Sequence, residues 1–390
     1  MKKIYLLFFM VVVNVFSQAP ANYYANATGT GFALKTQLKT IISSGHIDKG
    51  YGSGTNQTNN GLWGAYGTTD RDNGIGYEND NTIIDIYSEN PAGTDPFNFN
   101  FNTALNGNAG QCGSTGLNVE GDCYNREHLI PQSYFGGSNG PLQYVIMRND
   151  AQQVYPADKR VNAIRDDFAF GKVDVPTITT RNGSKLGSAL NSGYSIGFSG
   201  TVFEPIDEFK GDIARVFLYF ATRYEDSMAA LHATYTTVDC RVMFDGSTNK
   251  VFSDTFLNIL LTWNAQDPVS IKETLRNNAA FTHQGNRNPY IDNNSYVASI
   301  WGVPLSTDTF DVFAGTNIYP NPSADNKINI NTTLILDEIQ IININGQIMQ
   351  MIQKPEFIDN NFTIDNLAKG FYFVKMNAEN QSITKKVIVN

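Results

Sequence analysis

The chain has 390 residues, a net charge of −9 and a pI near 5.0, with 41% hydrophobic and 12% aromatic residues. That apolar content supplies a core and excludes a disordered chain, and the length suggests two or three domains. Charged residues make up only 17%, and the acidic balance excludes binding of nucleic acid through a globally basic surface, so any phosphate-binding site must be a local exception.

Lys2 and Lys3 precede the apolar run "IYLLFFMVVVNVF", and small and polar residues follow from Ser17 to Ala21. This order predicts a signal peptide over residues 1–18, removed near Gln18 or Ala19; the run is too short for a comfortable membrane span. No later segment is apolar enough to cross a bilayer. In "GFALKTQLKTIISSGH" the spacing of Leu34, Leu38, Ile41 and Ile42 predicts a helix. A stretch rich in Gly, Asn, Thr and Asp follows, broken by "NTIIDIYSENP", which reads as a strand. Cys112 and Cys123 flank the turn-rich "GSTGLNVEGD". In the oxidising context that export implies, a disulfide there would close a short loop, worth roughly 2–3 kcal/mol. Cys240 is left over and reads as a buried thiol, because nothing around "VDCRVM" lowers its pKa.

The segment "CYNREHLIPQSYF", Cys123 to Phe135, places Glu127 beside His128. A carboxylate oxygen suits Mg²⁺ or Ca²⁺, and a neutral imidazole suits a base that takes a proton from water. Metal plus base is a minimal apparatus for attack on a phosphodiester. Neighbours in a regular strand point to opposite faces, so the two share a site only if the strand ends or twists here, as Pro131 allows. Taken alone, the pair does not distinguish a site from a polar turn. The next segment, "DAQQVYPADKRVNAIRDDFAFGKV", predicts a strand and then a helix with Val161, Ile164 and Phe168 on one face and Gly171 at its end. On that wheel Asp166 faces solvent. Asp167 lies beside the apolar face, where a half-buried carboxylate is costly unless paired or metal-bound. A strand with the histidine, a loop, a second strand and a helix with an oxygen ligand would be a workable one-metal nuclease hairpin.

"VFEPIDEFKGDIARVFLYFATRYED" carries Ile213, Val216, Phe217, Phe220 and Tyr224 on a helical face. "DTFLNILLTWNAQDP" is a further helix stopped at Pro268, and Ser270 with Glu273 forms a capping box for a helix that ends before Gly285. Of the four histidines, His232 reads as structural, His46 follows a helix end, His283 precedes the "QGNRNPYID" loop, and only His128 stands beside a carboxylate. From about Phe310 the helical periodicity stops. "EIQIININGQIMQMI" alternates around Asn345-Gly346, a hairpin signal, and "GFYFVKM" and "KKVIVN" add strands. The expected architecture is α+β: helices around small sheets over residues 19–309, then a small all-β, sandwich-like domain over 310–390.

The C-terminal part resembles the sorting domains of the type IX secretion system in "YPNPS", the Asn-Gly hairpin, "IDNLAKGFYFVKM" and the terminal "KKVIVN". That resemblance implies export by the secretion machinery, then release or surface attachment. Residues 22–302 resemble the endonuclease I family of secreted non-specific nucleases with a ββα-metal (His-Me finger) site. The matching pieces are "GFALKTQLKTII", "GDCYNREHLIPQSYF", "VNAIRDDFAFG", "FEPIDEFKGDIARVFLYFATRYED", "WNAQDPVSIKETLRNN" and "QGNRNPYID". It implies that Glu127 binds Mg²⁺, with Mn²⁺ or Ca²⁺ as alternatives, and that His128 activates water. A second ligand, asparagine in the family's helix pattern, falls on Asp167, and a position often held by histidine is Gln152. Expected partners are DNA and, as a second candidate, RNA, cut by a monomer to 5′-phosphate ends. Arg126 reads as a phosphate ligand or a solvated strand-edge residue, and Arg148 as a holder of the product phosphate. Arg165 reads as a DNA contact or a partner of nearby acids, and Arg287 as a nucleic-acid contact or part of a turn. Arg215 and Arg223 read as internal ion pairs or helix-end covers. The runner-up reading is a degenerate relative that binds nucleic acid or surfaces without cleavage.

Overall fold

The computed structural model describes residues 19–52, 61–91, 93–101, 110–112, 119–136, 142–302, 316–344, 347–378 and 381–390. The chain divides into two compact units, Met1–Leu305 and Ser306–Asn390. The expected signal peptide and the boundary drawn between residues 309 and 310 lie outside the described residues. No helix among those residues is long and apolar enough to cross a membrane.

The first unit is α+β, as expected. Helix α1 (Gly31–Ser43) buries Leu34, Leu38 and Ile42. Then come α2 (Gly61–Thr69), β1 (Gly110–Gln111), β2 (Cys123–His128), α3 (Leu142–Asn149), β3 (Val154–Asp158) and α4 (Lys159–Arg165). The first three strands form one sheet in the order β1-β2-β3, with β1 parallel and β3 antiparallel to β2. The Cys112–Cys123 disulfide is present and fixes the start of β2 beside β1. Cys240 is buried and unbridged, and burial pushes its thiol up to about 12. A second sheet has the order β4-β7-β6-β5, from β4 (Ala169–Phe170), β5 (Val173–Thr179), β6 (Lys185–Ala189) and β7 (Thr201–Glu204).

The apolar core centres on α5 (Lys210–Arg223), which is buried from Lys210 to Thr222 except at Asp212. Around it lie α6 (Glu225–Thr234), α7 (Asp254–Gln266), α8 (Ile271–Gln284), α9 (Pro289–Asp292) and α10 (Ser295–Trp301). Arg215 of α5 is fully buried and pairs with both carboxylate oxygens of Glu273, at 2.6 and 2.7 Å. Arg223 donates to Ser43 Oγ at 2.6 Å, at the last residue of α1. These are the internal pairing and the helix-end cover expected of the two arginines.

Two expectations need correction. "NTIIDIYSENP" is not a strand: only Ile83 makes isolated bridges, to Arg71 and Phe99. Its Asp85 carboxylate accepts from the Tyr87 backbone N–H at 2.8 Å, and its carbonyl accepts from Ser88 and Glu89, which folds the backbone into a turn. The α4 helix does not run to Gly171 but ends at Arg165. Asp166 adopts φ +49° and ψ −126°, outside the helical region, while its N–H still reaches the Asn162 carbonyl. The chain then pairs as β4 alongside β7, Ala169 opposite Val202, and Gly171 donates to the Phe203 carbonyl.

The second unit is all-β. Its four-stranded sheet runs β11-β10-β13-β14, from β10 (Glu338–Asn343), β11 (Ile348–Gln353), β13 (Gly370–Ala378) and β14 (Gln381–Val389). Its three-stranded sheet runs β12-β9-β8, from β8 (Asn317–Tyr319), β9 (Ile328–Asn331) and β12 (Asn361–Ile364). All pairs are antiparallel, and Ile328, Ile330, Ile339, Ile341, Val374, Met376 and Val387 form a sandwich-like core. β10 and β11 pair as the alternation predicts; Asn345 and Gly346 between them lie outside the described residues.

The expected helix punctuation around α8 is real. Ser270 accepts from the Glu273 N–H, Glu273 accepts from the Ser270 N–H, and Gly285 caps the far end at φ +82°. A Cβ on Gly285 would lie 2.3 Å from the Gly45 carbonyl oxygen. Ser270→Ala should therefore cost about 0.5–2 kcal/mol. Gly285→Ala should cost more, because it adds a backbone clash to a left-handed strain. Urea unfolding of the full chain followed by tryptophan fluorescence checks the order.

Candidate active site

β2 ends at His128, so the alternation of side chains ends with it. Glu127 pairs in register with Tyr155 and His128 with Val154. β3 passes directly into α4 because Asp158 caps the helix, accepting from the N–H groups of Arg160 and Val161 at 2.7 and 3.2 Å. The strand end and the turn after α4 meet around a pocket of about 210 Å³ lined by Arg126, Glu127, His128, Ser133, Asn162, Arg165, Asp166 and Asp167, with Pro131 and Gln132. Glu127, His128 and Asp167, expected to act together, are thus brought to one place. Among the four histidines, only His128 lines this pocket. Asp166 is exposed and Asp167 half-buried, as the wheel predicted, although Asp167 stands in a turn.

Glu127 is 2% exposed. One carboxylate oxygen accepts from the Tyr87 hydroxyl at 2.7 Å and lies 3.3 Å from the Arg165 guanidinium. Burial pushes the Glu127 carboxyl up, against the opposing pull of Arg165 and the Tyr87 hydroxyl. His128 is also buried, and its Nε2 lies 3.0 Å from the Arg148 carbonyl oxygen. A carbonyl only accepts, so Nε2 carries the proton and Nδ1 of the neutral ring keeps its lone pair. Burial above all, with the charges of Arg148, Arg126 and Arg165 adding to it, pushes the imidazole down to about 3. The ring stacks on Tyr51, with centroids 5.8 Å apart. Asp167 accepts from Ser133 Oγ at 2.9 Å.

The sequence of residues 30–295 matches the family model described as Endonuclease I. The chain belongs to the endonuclease I family. Residues 317–390 match the secretion-system C-terminal sorting domain, so this nuclease is exported, either secreted or attached to the cell surface. It is 32% identical over 285 residues to an extracellular ribonuclease of Bacillus amyloliquefaciens, covering 72% of this chain and 78% of that one. An extracellular ribonuclease of Bacillus subtilis (strain 168) is 31% identical over the same shares. Endonuclease-1 of Buchnera aphidicola subsp. Baizongia pistaciae is 23% identical over 177 residues, 42% of this chain and 60% of that protein.

In this endonuclease I protein the four arginines named from sequence have separate places. Arg126 lines the pocket, donates to the Tyr51 and Gly52 carbonyls at 2.6 and 2.8 Å, and lies over the Tyr51 ring at 3.4 Å. Arg148 lies on the same ring at 3.3 Å and donates to Gln132. Arg165 is buried in the pocket wall and bonds the carbonyls of His128 and Leu129. Arg287 is not brought to the pocket. It is 1% exposed, bound through two nitrogens to Asp292 at 2.7 and 2.6 Å and to Asn278, because the "GNRNP" turn folds it back onto α9. Gln152 is also outside the pocket lining; its side-chain amide donates to Asn277 Oδ1 and the Asn286 carbonyl in a buried polar network. Tyr87 and Tyr51, which hold Glu127 and His128, were not singled out from sequence. They lie 40 and 77 residues upstream of their partners, in segments with no local pattern that points to the pocket.

The donor set fits a hard divalent cation. Glu127 and Asp167 present carboxylate oxygens from two different elements to one polar pocket, and Mg²⁺ needs only one or two carboxylates beside waters and phosphate. Arg165→Met should destabilise the protein by roughly 3–5 kcal/mol, because it leaves the Glu127 carboxylate buried without its cation. Adding Glu127→Gln to that variant should recover part of the loss, and a double-mutant cycle in urea measures the coupling.

Proposed function

We propose that this protein is a secreted, Mg²⁺-dependent endonuclease that hydrolyses phosphodiester bonds of DNA, and of RNA, without sequence preference and leaves 5′-phosphate ends. Mn²⁺ and Ca²⁺ are the alternative ions. The convergence of Glu127, His128 and Asp167 on one pocket carries this reading. Glu127 and Asp167 would hold the ion, which when bound neutralises phosphate charge and steadies the leaving 3′ oxygen. His128 takes a proton from the attacking water at Nδ1, while the Arg148 carbonyl holds the Nε2 proton in place. Burial keeps the ring neutral at neutral pH, which leaves the Nδ1 lone pair unprotonated but lowers its basicity. Arg126 and Arg165 bring positive charge to a pocket that Glu127, Asp166 and Asp167 also line.

Among the described residues, no Phe, Tyr or Trp side chain lines the pocket. This supports recognition through backbone phosphates, which weakens as salt rises. Two relatives named extracellular ribonuclease support activity on RNA, and one named Endonuclease-1 supports internal cleavage of the chain. The C-terminal domain supports export through the type IX machinery. The second reading, a relative that binds nucleic acid without cleavage, rests on Asp167, whose extra negative charge lies beside the phosphate.

Plasmid and RNA digestion separate the two. Wild type should cut with Mg²⁺ and stop with EDTA. His128→Ala should lose about 10²–10⁴-fold in rate. Asp167→Asn should keep or improve cutting, because the amide oxygen still coordinates. Unchanged cutting by His128→Ala overturns the mechanism. Wild type that retards DNA on a gel but fails to cut with Mg²⁺, Mn²⁺ or Ca²⁺ establishes the second reading.

A further inference from the structure

Away from the pocket, Glu78, Glu89 and Asp95 converge, with one carboxylate oxygen of each within 4.8 Å of the others. Three carboxylates alone do not make a site. The Glu89 side chain supplies a separate observation. Glu89 is 2% exposed, and its Oε1 is buried without a hydrogen-bond partner among the described residues. Lys272 is paired with Asp72 and Arg276 with Asp70. Burial first, then repulsion from Asp95, Glu78, Asp72 and Asp85, pushes the Glu89 carboxyl up to about 10. Burial pushes Asp95 up to about 6 even though it accepts from the Asn90 N–H. A buried, unpartnered carboxylate facing two others is strongly unfavourable unless a cation or a proton joins them.

We propose that Glu78, Glu89 and Asp95 form a calcium site distinct from the catalytic pocket. All three lie outside regular helices and strands, between α2 and β1. Ca²⁺ accepts irregular oxygen cages of six to eight ligands that include water, whereas Mg²⁺ demands near-ideal octahedral geometry. The exposed Glu78 gives the ion an entry, and the buried Glu89 gives it an anchor. The ion would pin the segment that carries Asp85, whose carboxylate accepts from the Asp158 N–H, and Tyr87, which donates to Glu127. It is thus a brace for the loop behind the active site, and it holds whether or not the nuclease reading does.

Thermal unfolding of the full chain with about 10 mM CaCl₂, above the roughly 10⁻⁴–10⁻³ M dissociation constants of extracellular calcium modules, tests this. Wild type should gain roughly 3 °C over the EDTA-treated protein. Glu127→Gln, which removes a ligand of the catalytic pocket, should keep that gain. Glu89→Gln should be at least as stable as wild type in EDTA, because it replaces a buried acid by a neutral amide of the same shape, yet gain nothing from Ca²⁺. Asp95→Asn should lower the Ca²⁺ affinity measured by calorimetry at least tenfold. An equal Ca²⁺ shift in wild type and Glu89→Gln, or no shift in wild type, overturns the site and assigns the cluster to a shared proton. An equal shift with the same concentration of MgCl₂ overturns the choice of ion.

Discussion

The active site depends on one buried guanidinium. Arg165, the last residue of α4, reaches back to the end of β2 and bonds the carbonyls of His128 and Leu129 while lying 3.3 Å from Glu127. A strand that stops inside a protein leaves backbone carbonyls that must find partners. Arg165 supplies them, and its own charge is balanced by the Glu127 carboxylate. The strand can therefore end at His128, and two adjacent side chains, which regular β geometry would send to opposite faces, reach the same pocket.

The rest of the first unit keeps this arrangement in place. Asp158 caps α4 with its carboxylate while its own N–H donates to Asp85 at 2.6 Å, so the ββα hairpin is tied to the loop that carries Tyr87. Behind it, Asp150 accepts from the hydroxyls of Tyr219 and Tyr224 and from Gln284, linking the approach to β3 with α5 and α8. Such networks are stabilising only when each member is satisfied, and they then hold their neighbours rigidly. The proposed chemistry needs that rigidity: burial keeps the His128 ring neutral, while Arg165 and the Tyr87 hydroxyl oppose the upward push of burial on the Glu127 carboxyl.

Charge follows the same local logic. The chain is acidic overall, yet Arg126, Arg148 and Arg165 gather near His128, two of them on the faces of Tyr51. The face of an aromatic ring attracts a guanidinium and offsets part of its loss of solvation. A phosphate-binding spot can thus exist on a surface whose average repels nucleic acid.

Much was legible before any fold was known. The apolar period of α1, the Ser270–Glu273 box, the Gly285 stop and the alternation of β10 and β11 are local patterns, and local patterns are written along the chain. Glu127, His128 and Asp167 were legible as chemistry because a carboxylate, an imidazole and a second acid recur at hairpin spacing. Other features rest on particular side-chain and backbone contacts that apolar periodicity does not reveal. Asp85 turns "NTIIDIYSENP" out of a strand, Asp166 stops α4 five residues early, and Asp292 takes Arg287 into the interior. By itself the sequence determined the class of most elements, "NTIIDIYSENP" apart, and the residue types that the proposed chemistry uses. The tertiary structure alone decided which oxygen and which nitrogen are free to act, because that depends on partners such as Tyr87, Arg165 and the Arg148 carbonyl, which the fold brings in from 20 to 40 residues away.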